Sequence, residues 1–251
     1  MRGGVDGLAR LKLERLSMQA LHKTVAFGFD RHVLEHHAKC YSGVNIMEQI
    51  VERLQRKGYV SFSRAENDIW SIRKICDYLG CKVTHYSFLK PRSSTGRQNS
   101  LSDVYGTGEF PPHSDGAHLV SPPDYLIMRG SRNRKAPTLL WPSDKLLEVF
   151  GSDANNAEFV VNRGARTFGA RFCTVAAGGF MLRFNYDTMK PKNQSAANIH
   201  SWLREPDVEP VVIDWETTSF LVVDNRTVLH GRGRSEEHDV GFLRRWTLRK
   251  R

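Results

Sequence analysis

Two short stretches of this chain could hold a metal ion together. In Phe110-Pro-Pro-His113-Ser114-Asp115-Gly116-Ala117-His118, an imidazole and a carboxylate stand two residues apart. If the stretch is extended, alternate side chains share one face, so His113 and Asp115 converge on one point. A third donor must come from elsewhere, and the best candidate is His230, in Leu221-Val-Val-Asp-Asn-Arg-Thr-Val-Leu-His230-Gly-Arg. Two histidines and one carboxylate on one octahedral face leave three positions open. Non-haem iron(II) sites use that arrangement to admit a bidentate co-substrate and then dioxygen. A bland alternative stays open at this point. His-x-Asp is a weak pattern, His113 could cap a turn, Asp115 could be an exposed loop residue, and a histidine after an apolar strand is commonly a core or surface residue.

The elements that must position these residues change character along the chain. Residues 8–39 have helix-favouring composition without proline, and 46–57, IMEQIVERLQRK, place Ile46, Ile50, Val51 and Leu54 on one helical face. Gly58 stands where a helix C-cap belongs, and Tyr59-Val60-Ser61-Phe62 follows as a strand. A further helix over 65–79 closes at Gly80, and CKVTHYSFL continues as a strand. From about residue 100 onward the sequence becomes short β-like runs parted by Gly, Pro, Asn and Asp: DYLIMRG, APTLLWP, EFVVNRG, GFMLRFNY, EPVVID, SFLVVDN and RRWTLR. Such spacing predicts an all-β sandwich or barrel, with the preceding helices free to cover one sheet face.

The surroundings of the metal candidates carry a family resemblance. Residues 110–130, FPPHSDGAHLVSPPDYLIMRG, resemble the metal-binding segment of the TauD/TfdA-type branch of the iron(II)/2-oxoglutarate dioxygenases, where a His-x-Asp precedes a Pro-Pro and a hydrophobic strand. Residues 221–232, LVVDNRTVLHGR, resemble its distal segment, and 242–248, FLRRWTL, its closing strand. The resemblance covers about residues 100–251. It implies His113, Asp115 and His230 as iron ligands. It also implies Arg244, fourteen residues after His230, as the partner of the distal carboxylate of 2-oxoglutarate, since a planar guanidinium meets a carboxylate through two parallel hydrogen bonds. Arg245 is the rival, because strand neighbours point to opposite faces; the family spacing favours Arg244. Thr138 is similar to the family threonine that bonds the same carboxylate, although a threonine in a short strand also serves packing.

Arg183, in Phe180-Met-Leu-Arg183-Phe-Asn-Tyr-Asp187, is similar to a family Arg-Tyr-Asp stretch; it is a candidate for binding substrate or organising the pocket, with structural salt bridging as the alternative. Gly231 would let the backbone turn tightly beside the metal. His118 could support the ligands without being one, and His32, His36 and His37 are expected at the surface. The implied fold is α+β with a mainly β core: a distorted double-stranded β-helix, a cupin-like jelly roll, buttressed by N-terminal helices. It would form a single dioxygenase domain over 1–251, with 1–99 as helical and mixed support and 100–251 as the core. Implied cofactors are Fe(II), 2-oxoglutarate and O2. The implied reaction hydroxylates or desaturates a small metabolite, anionic or amino-acid-like, and decarboxylates 2-oxoglutarate to succinate. Related halogenases replace the carboxylate ligand with a small residue to admit chloride, so Asp115 argues against chlorination.

Bulk properties bound this reading. The chain has 251 residues, enough to bury a sizeable core. It contains no apolar run long enough to span a membrane, and its first residues lack a secretory signal pattern. Cys40, Cys76, Cys81 and Cys173 form no CxxC pair, which excludes zinc-ribbon and thioredoxin chemistry and suits reduced cytoplasmic thiols. No nucleophile elbow, P-loop or dinucleotide glycine fingerprint is present. The formal charge of +10 favours anionic partners, yet no nucleic-acid-binding motif accompanies it, and a solvated basic surface accounts for it more simply. Two other function classes remain at this level: an oxygenase acting on protein or nucleic acid, and a non-catalytic ligand-binding or sensor protein on the same fold.

Overall fold

The computed structural model describes residues 48, 50–64, 71–90, 104–163, 166–176, 179–235 and 239–251. The chain divides into two units, Met1–Glu48 and Gln49–Arg251, and every element below belongs to the second. The helix expected over 8–39, with His32, His36, His37 and Cys40, lies outside the described residues. Helix α1 (residues 50–57) buries Ile50 and Leu54 and exposes the charged residues between them, as its periodicity predicts. It stops at Gly58, whose N–H still donates to the Leu54 carbonyl at 2.8 Å and whose φ of 76° then turns the chain out of the helix. Strand β1 (Tyr59–Ser63) follows, then α2 (Ile72–Tyr78), capped by the Ser71 side chain, and β2 (Cys81–Leu89). The helix expected from 65 is described only from Ile72, because 65–70 lie outside the described residues.

The remaining strands are β3 (Phe110–His113), β4 (Tyr125–Gly130), β5 (Thr138–Pro142), β6 (Glu158–Arg163), β7 (Arg166–Arg171), β8 (Cys173–Ala176), β9 (Gly179–Leu182), β10 (Met189–Pro191), β11 (Val211–Ile213), β12 (Thr218–Asp224), β13 (Val228–Arg232) and β14 (Leu243–Lys250). A five-stranded antiparallel sheet runs β1-β12-β4-β14-β2, and a four-stranded one runs β11-β5-β13-β3. Their inner faces share one core. Leu126, Met128, Leu221, Val223 and Leu243 from the first sheet meet Leu140, Ile213 and Val228 from the second, together with Trp215. This is the facing-sheet arrangement of a jelly roll.

Among the described residues, the region expected to be all β also contains helices, including α3 (Ser143–Phe150), α4 (Ser152–Asn156) and α5 (Gln194–Trp202). The local causes are capping and periodicity. Pro142, at φ −63°, leads into α3, whose Leu146 faces inward; Asn193 caps α5 by accepting from the Ala196 N–H. These helices, with the β10-β6-β7 sheet and the β8-β9 hairpin, build a second core on the outer side of the four-stranded sheet. Trp141 and Leu229 point into it, while their neighbours Leu140 and Val228 point into the first core. Both faces of β5 and β13 are therefore covered, which is why β13 is buried at every position. The run GFMLRFNY is a strand only to Leu182, because the next amides leave the hairpin: Arg183 N–H donates to the Phe172 carbonyl at 2.7 Å and Phe184 N–H to Ser114 Oγ at 3.2 Å. Among the described residues, Cys76, Cys81 and Cys173 are buried free thiols, and no helix is long and apolar enough to cross a membrane.

Candidate metal centre

Cross-strand register brings the two histidines together. His113 ends β3 and lies opposite His230 on β13, with ring centroids 4.4 Å apart. Asp115 follows in the turn after β3 and completes a buried cluster in which one donor atom from each residue lies within 4.8 Å of the others. Asp115 Oδ1 stands 3.9 Å from His113 Nε2 and 3.7 Å from His230 Nε2. His113 Nδ1 lies 3.0 Å from the Pro111 carbonyl, which can only accept, so the ring proton sits on Nδ1 and the Nε2 lone pair faces the cluster. Burial, then the adjacent His230, lowers the His113 pKa to about 3 and keeps the ring neutral. Burial works to raise the Asp115 carboxyl, but the Arg245 guanidinium and the two histidines outweigh it and hold it well below the usual carboxylate range. A buried carboxylate beside two imidazole rings is a donor set that suits a divalent cation.

An observation independent of spacing supports that fit. Both His230 ring nitrogens and Asp115 Oδ2 are buried and have no hydrogen-bond partner. Leaving such groups unpaired costs roughly 1–3 kcal/mol each, so orphaned donors on two of the three clustered residues mark a place for a ligand.

The neighbouring residues sort differently from the expectation. On β14 it is Arg245 that faces the cluster, donating from Nη1 to Asp115 Oδ1 at 2.8 Å. Arg244 points the other way; it is exposed, with its guanidinium 5.4 Å from the Phe242 ring centre. This reverses the preference for Arg244, because the pleat, rather than the count from His230, decides which neighbour turns inward. Thr138 is buried on the cavity wall, and Trp215 Nε1 donates to its Oγ1 at 3.1 Å, which leaves the hydroxyl hydrogen free to donate. Arg183 does not line the metal cavity. Its guanidinium donates to the Leu119 and Val120 carbonyls at 3.1 and 3.0 Å, so it organises the loop behind the ligands. Gly231 makes no turn: it lies within β13, where an added Cβ would collide with the Phe110 carbonyl, so close strand approach is its reason. His118 lies on the cavity wall outside the cluster.

Three buried residues escaped sequence reasoning. Asn225 holds the Asp115 backbone, Arg232 lies 3.7 Å from the centre of the Phe110 ring while donating to the Gly106 carbonyl at 2.7 Å, and Trp215 bonds Thr138. Asn225 reads as an ordinary turn residue, and Arg232 was legible only as the end of His-Gly-Arg. The cavity containing the cluster is about 1120 Å³. Its wall carries Lys82, Lys90, Arg134, Arg232, Arg245 and Arg249 against two carboxylates, Asp115 and Asp187, among the described residues.

No protein-family model matches this chain, and no curated protein does. Solved structures do match. One is asparagine oxygenase in complex with Fe(II), 2S,3S-3-hydroxyasparagine and succinate, with a TM-score of 0.53 and 16% identity over 64% of this chain and 56% of that one. Another is PvcB, described as an Fe, alpha-ketoglutarate dependent oxygenase from an isonitrile synthetic pathway, with a TM-score of 0.56 and 15% identity over 80% of this chain and 79% of that one. A further PvcB structure, from Pseudomonas aeruginosa, agrees equally well. The chain spans just over half the length of the asparagine oxygenase it matches. At these identities the likeness is one of fold: this chain has the double-stranded β-helix of those oxygenases.

Proposed function

We propose that the protein is a non-haem iron(II), 2-oxoglutarate-dependent oxygenase acting on a small metabolite. The observation that carries this reading is the buried His113–Asp115–His230 cluster, whose orphaned donors open into a basic cavity. His113 Nε2, His230 and the Asp115 carboxylate would hold Fe(II) on one face and leave the opposite face for co-substrate and dioxygen. Bound there, iron with 2-oxoglutarate and O2 supplies the oxidising power, with 2-oxoglutarate converted to succinate. The chain's own part is binding, orientation and exclusion. Thr138 donates its hydroxyl hydrogen to the distal carboxylate of 2-oxoglutarate, and Arg245 supplies the guanidinium, released from Asp115 when a cation occupies the triad. The Leu126–Met128–Leu221–Leu243 core keeps bulk water from the closed side. The excess of cations on the wall favours an anionic or amino-acid-like substrate.

Purified protein supplied with Fe(II), ascorbate, 2-oxoglutarate and a metabolite panel will release succinate, and His113→Ala will not. Anaerobic Fe(II) and 2-oxoglutarate will give a metal-to-ligand absorption band that the correct metabolite perturbs. Wild-type protein that binds neither Fe(II) nor 2-oxoglutarate would reject the proposal.

A further inference from the structure

The sheet places two of the three donors, and something else must place the third. His113 and His230 face each other across the β3–β13 pairing. Strand β3 ends at His113, so Asp115 lies beyond the ladder, in the turn that follows. Its backbone is instead taken by one side chain from the β12–β13 turn. The Asp115 N–H donates to Asn225 Oδ1 at 2.8 Å, and Asn225 Nδ2 donates to the Asp115 carbonyl at 3.0 Å and to the Pro123 carbonyl at 2.9 Å. Asn225 is 1% exposed, so these bonds face no competition from bulk water.

We propose that Asn225 is the positioning residue for the carboxylate ligand, setting the distance between Asp115 and the histidine pair; this rests on the triad being a metal site. The turn that carries Asn225 is rigid. Thr227 N–H donates to the Asp224 carbonyl at 3.1 Å, Asp224 N–H to the Gly58 carbonyl at 2.7 Å, and Asn225 N–H to the Asp124 carbonyl at 2.9 Å. The same turn leads directly into β13 and His230. One short segment therefore anchors the late histidine through the chain and the early carboxylate through an amide. Only asparagine among residues of its size offers one acceptor and two donors in this geometry. Aspartate keeps the acceptor for the Asp115 N–H but turns both donations into oxygen–oxygen repulsions, and alanine removes all three.

Cobalt(II) alone is a sufficient probe. Its affinity and d–d absorption would be measured for wild type, Asn225→Ala, Asn225→Asp, Thr227→Ala as a control in the same turn, and His113→Ala. Both Asn225 variants are expected to lose about 10- to 100-fold in Co(II) affinity, with an altered band, as displaced supports of metal ligands do. Thr227→Ala is expected to bind as wild type does, so general loosening of the turn cannot mimic the effect. Circular dichroism selects the folded variants; if alanine does not fold, the isosteric aspartate carries the test. Folded Asn225 variants that bind Co(II) within threefold of wild type, with an unchanged band, would overturn the inference. Wild type that fails to bind Co(II), or binds it as His113→Ala does, would instead overturn the metal-site reading beneath it.

Discussion

Replacing Arg245 with methionine separates two roles that one guanidinium fills. In the structure Arg245 is the counter-ion of Asp115, at 2.8 Å, with side chains 22% and 11% exposed. Removing one partner of a fully buried pair costs roughly 3–5 kcal/mol, because the other charge is left alone. Arg245 is partly reached by water, which lowers the expected cost to about 2 kcal/mol. In a domain of this size that loss moves Tm down by about 4–8 °C. A divalent cation on the triad supplies the positive charge that the variant lacks. At 100-fold its Kd, Zn(II) stabilises a folded protein by about 2.7 kcal/mol. At one fixed Zn(II) concentration the gain will be larger for Arg245→Met than for wild type, since the ion no longer competes with a guanidinium for Asp115 Oδ1. Calorimetric melts with and without Zn(II), paired with titration calorimetry, read both quantities. Equal Zn(II)-induced shifts, or weaker Zn(II) binding by the variant, would refute the reasoning.

Metal-free stability should also depend on His113. Its ring titrates near 3 in the folded chain against about 6.5 when unfolded, so the unfolded state takes up a proton that the native state refuses. Stability therefore falls by up to about 1.4 kcal/mol per pH unit as pH drops from about 6.5 toward 3, and urea titrations of His113→Phe should show a shallower slope. Gly231→Ala forces a methyl against the Phe110 carbonyl and to 3.1 Å from Trp141 Cζ3. It should cost about 1–3 kcal/mol in urea denaturation and weaken Co(II) binding, because His230 moves with the strand.

Much of the site was legible in sequence because its logic is local. His113 and Asp115 stand two residues apart, although the strand ends at His113 and a turn rather than strand alternation presents Asp115, and the apolar run before His230 announces the strand that presents it. The choice between Arg244 and Arg245 was not legible, because counting residues gives a position and the pleat gives a direction. Pairing of Arg245 with Met128, an inward-facing core residue, settles that direction only in three dimensions. Helices α3 and α5 were hidden for a related reason. Each is short, and each is stabilised by packing Leu146 or Ile199 into a core assembled from distant chain segments. Asn225 was missed because asparagine between two strands is what any turn would use. Its partners lie 102 and 110 residues away.

The double covering of β13 has a consequence for how the site can come apart. Val228 and Leu229 are sealed by a core on each side, while His230 to Arg232 also line the cavity, so the Val228 and Leu229 amides should exchange with solvent only when the whole domain opens. The turn carrying Asp115 lies beyond the ladder and is tied by the Ser114 N–H to the Phe184 carbonyl at 2.8 Å and by the Asn225 side chain. Deuterium labelling would therefore find the two halves of the site protected by different means, one by a sheet ladder and the other by single anchors from distant segments.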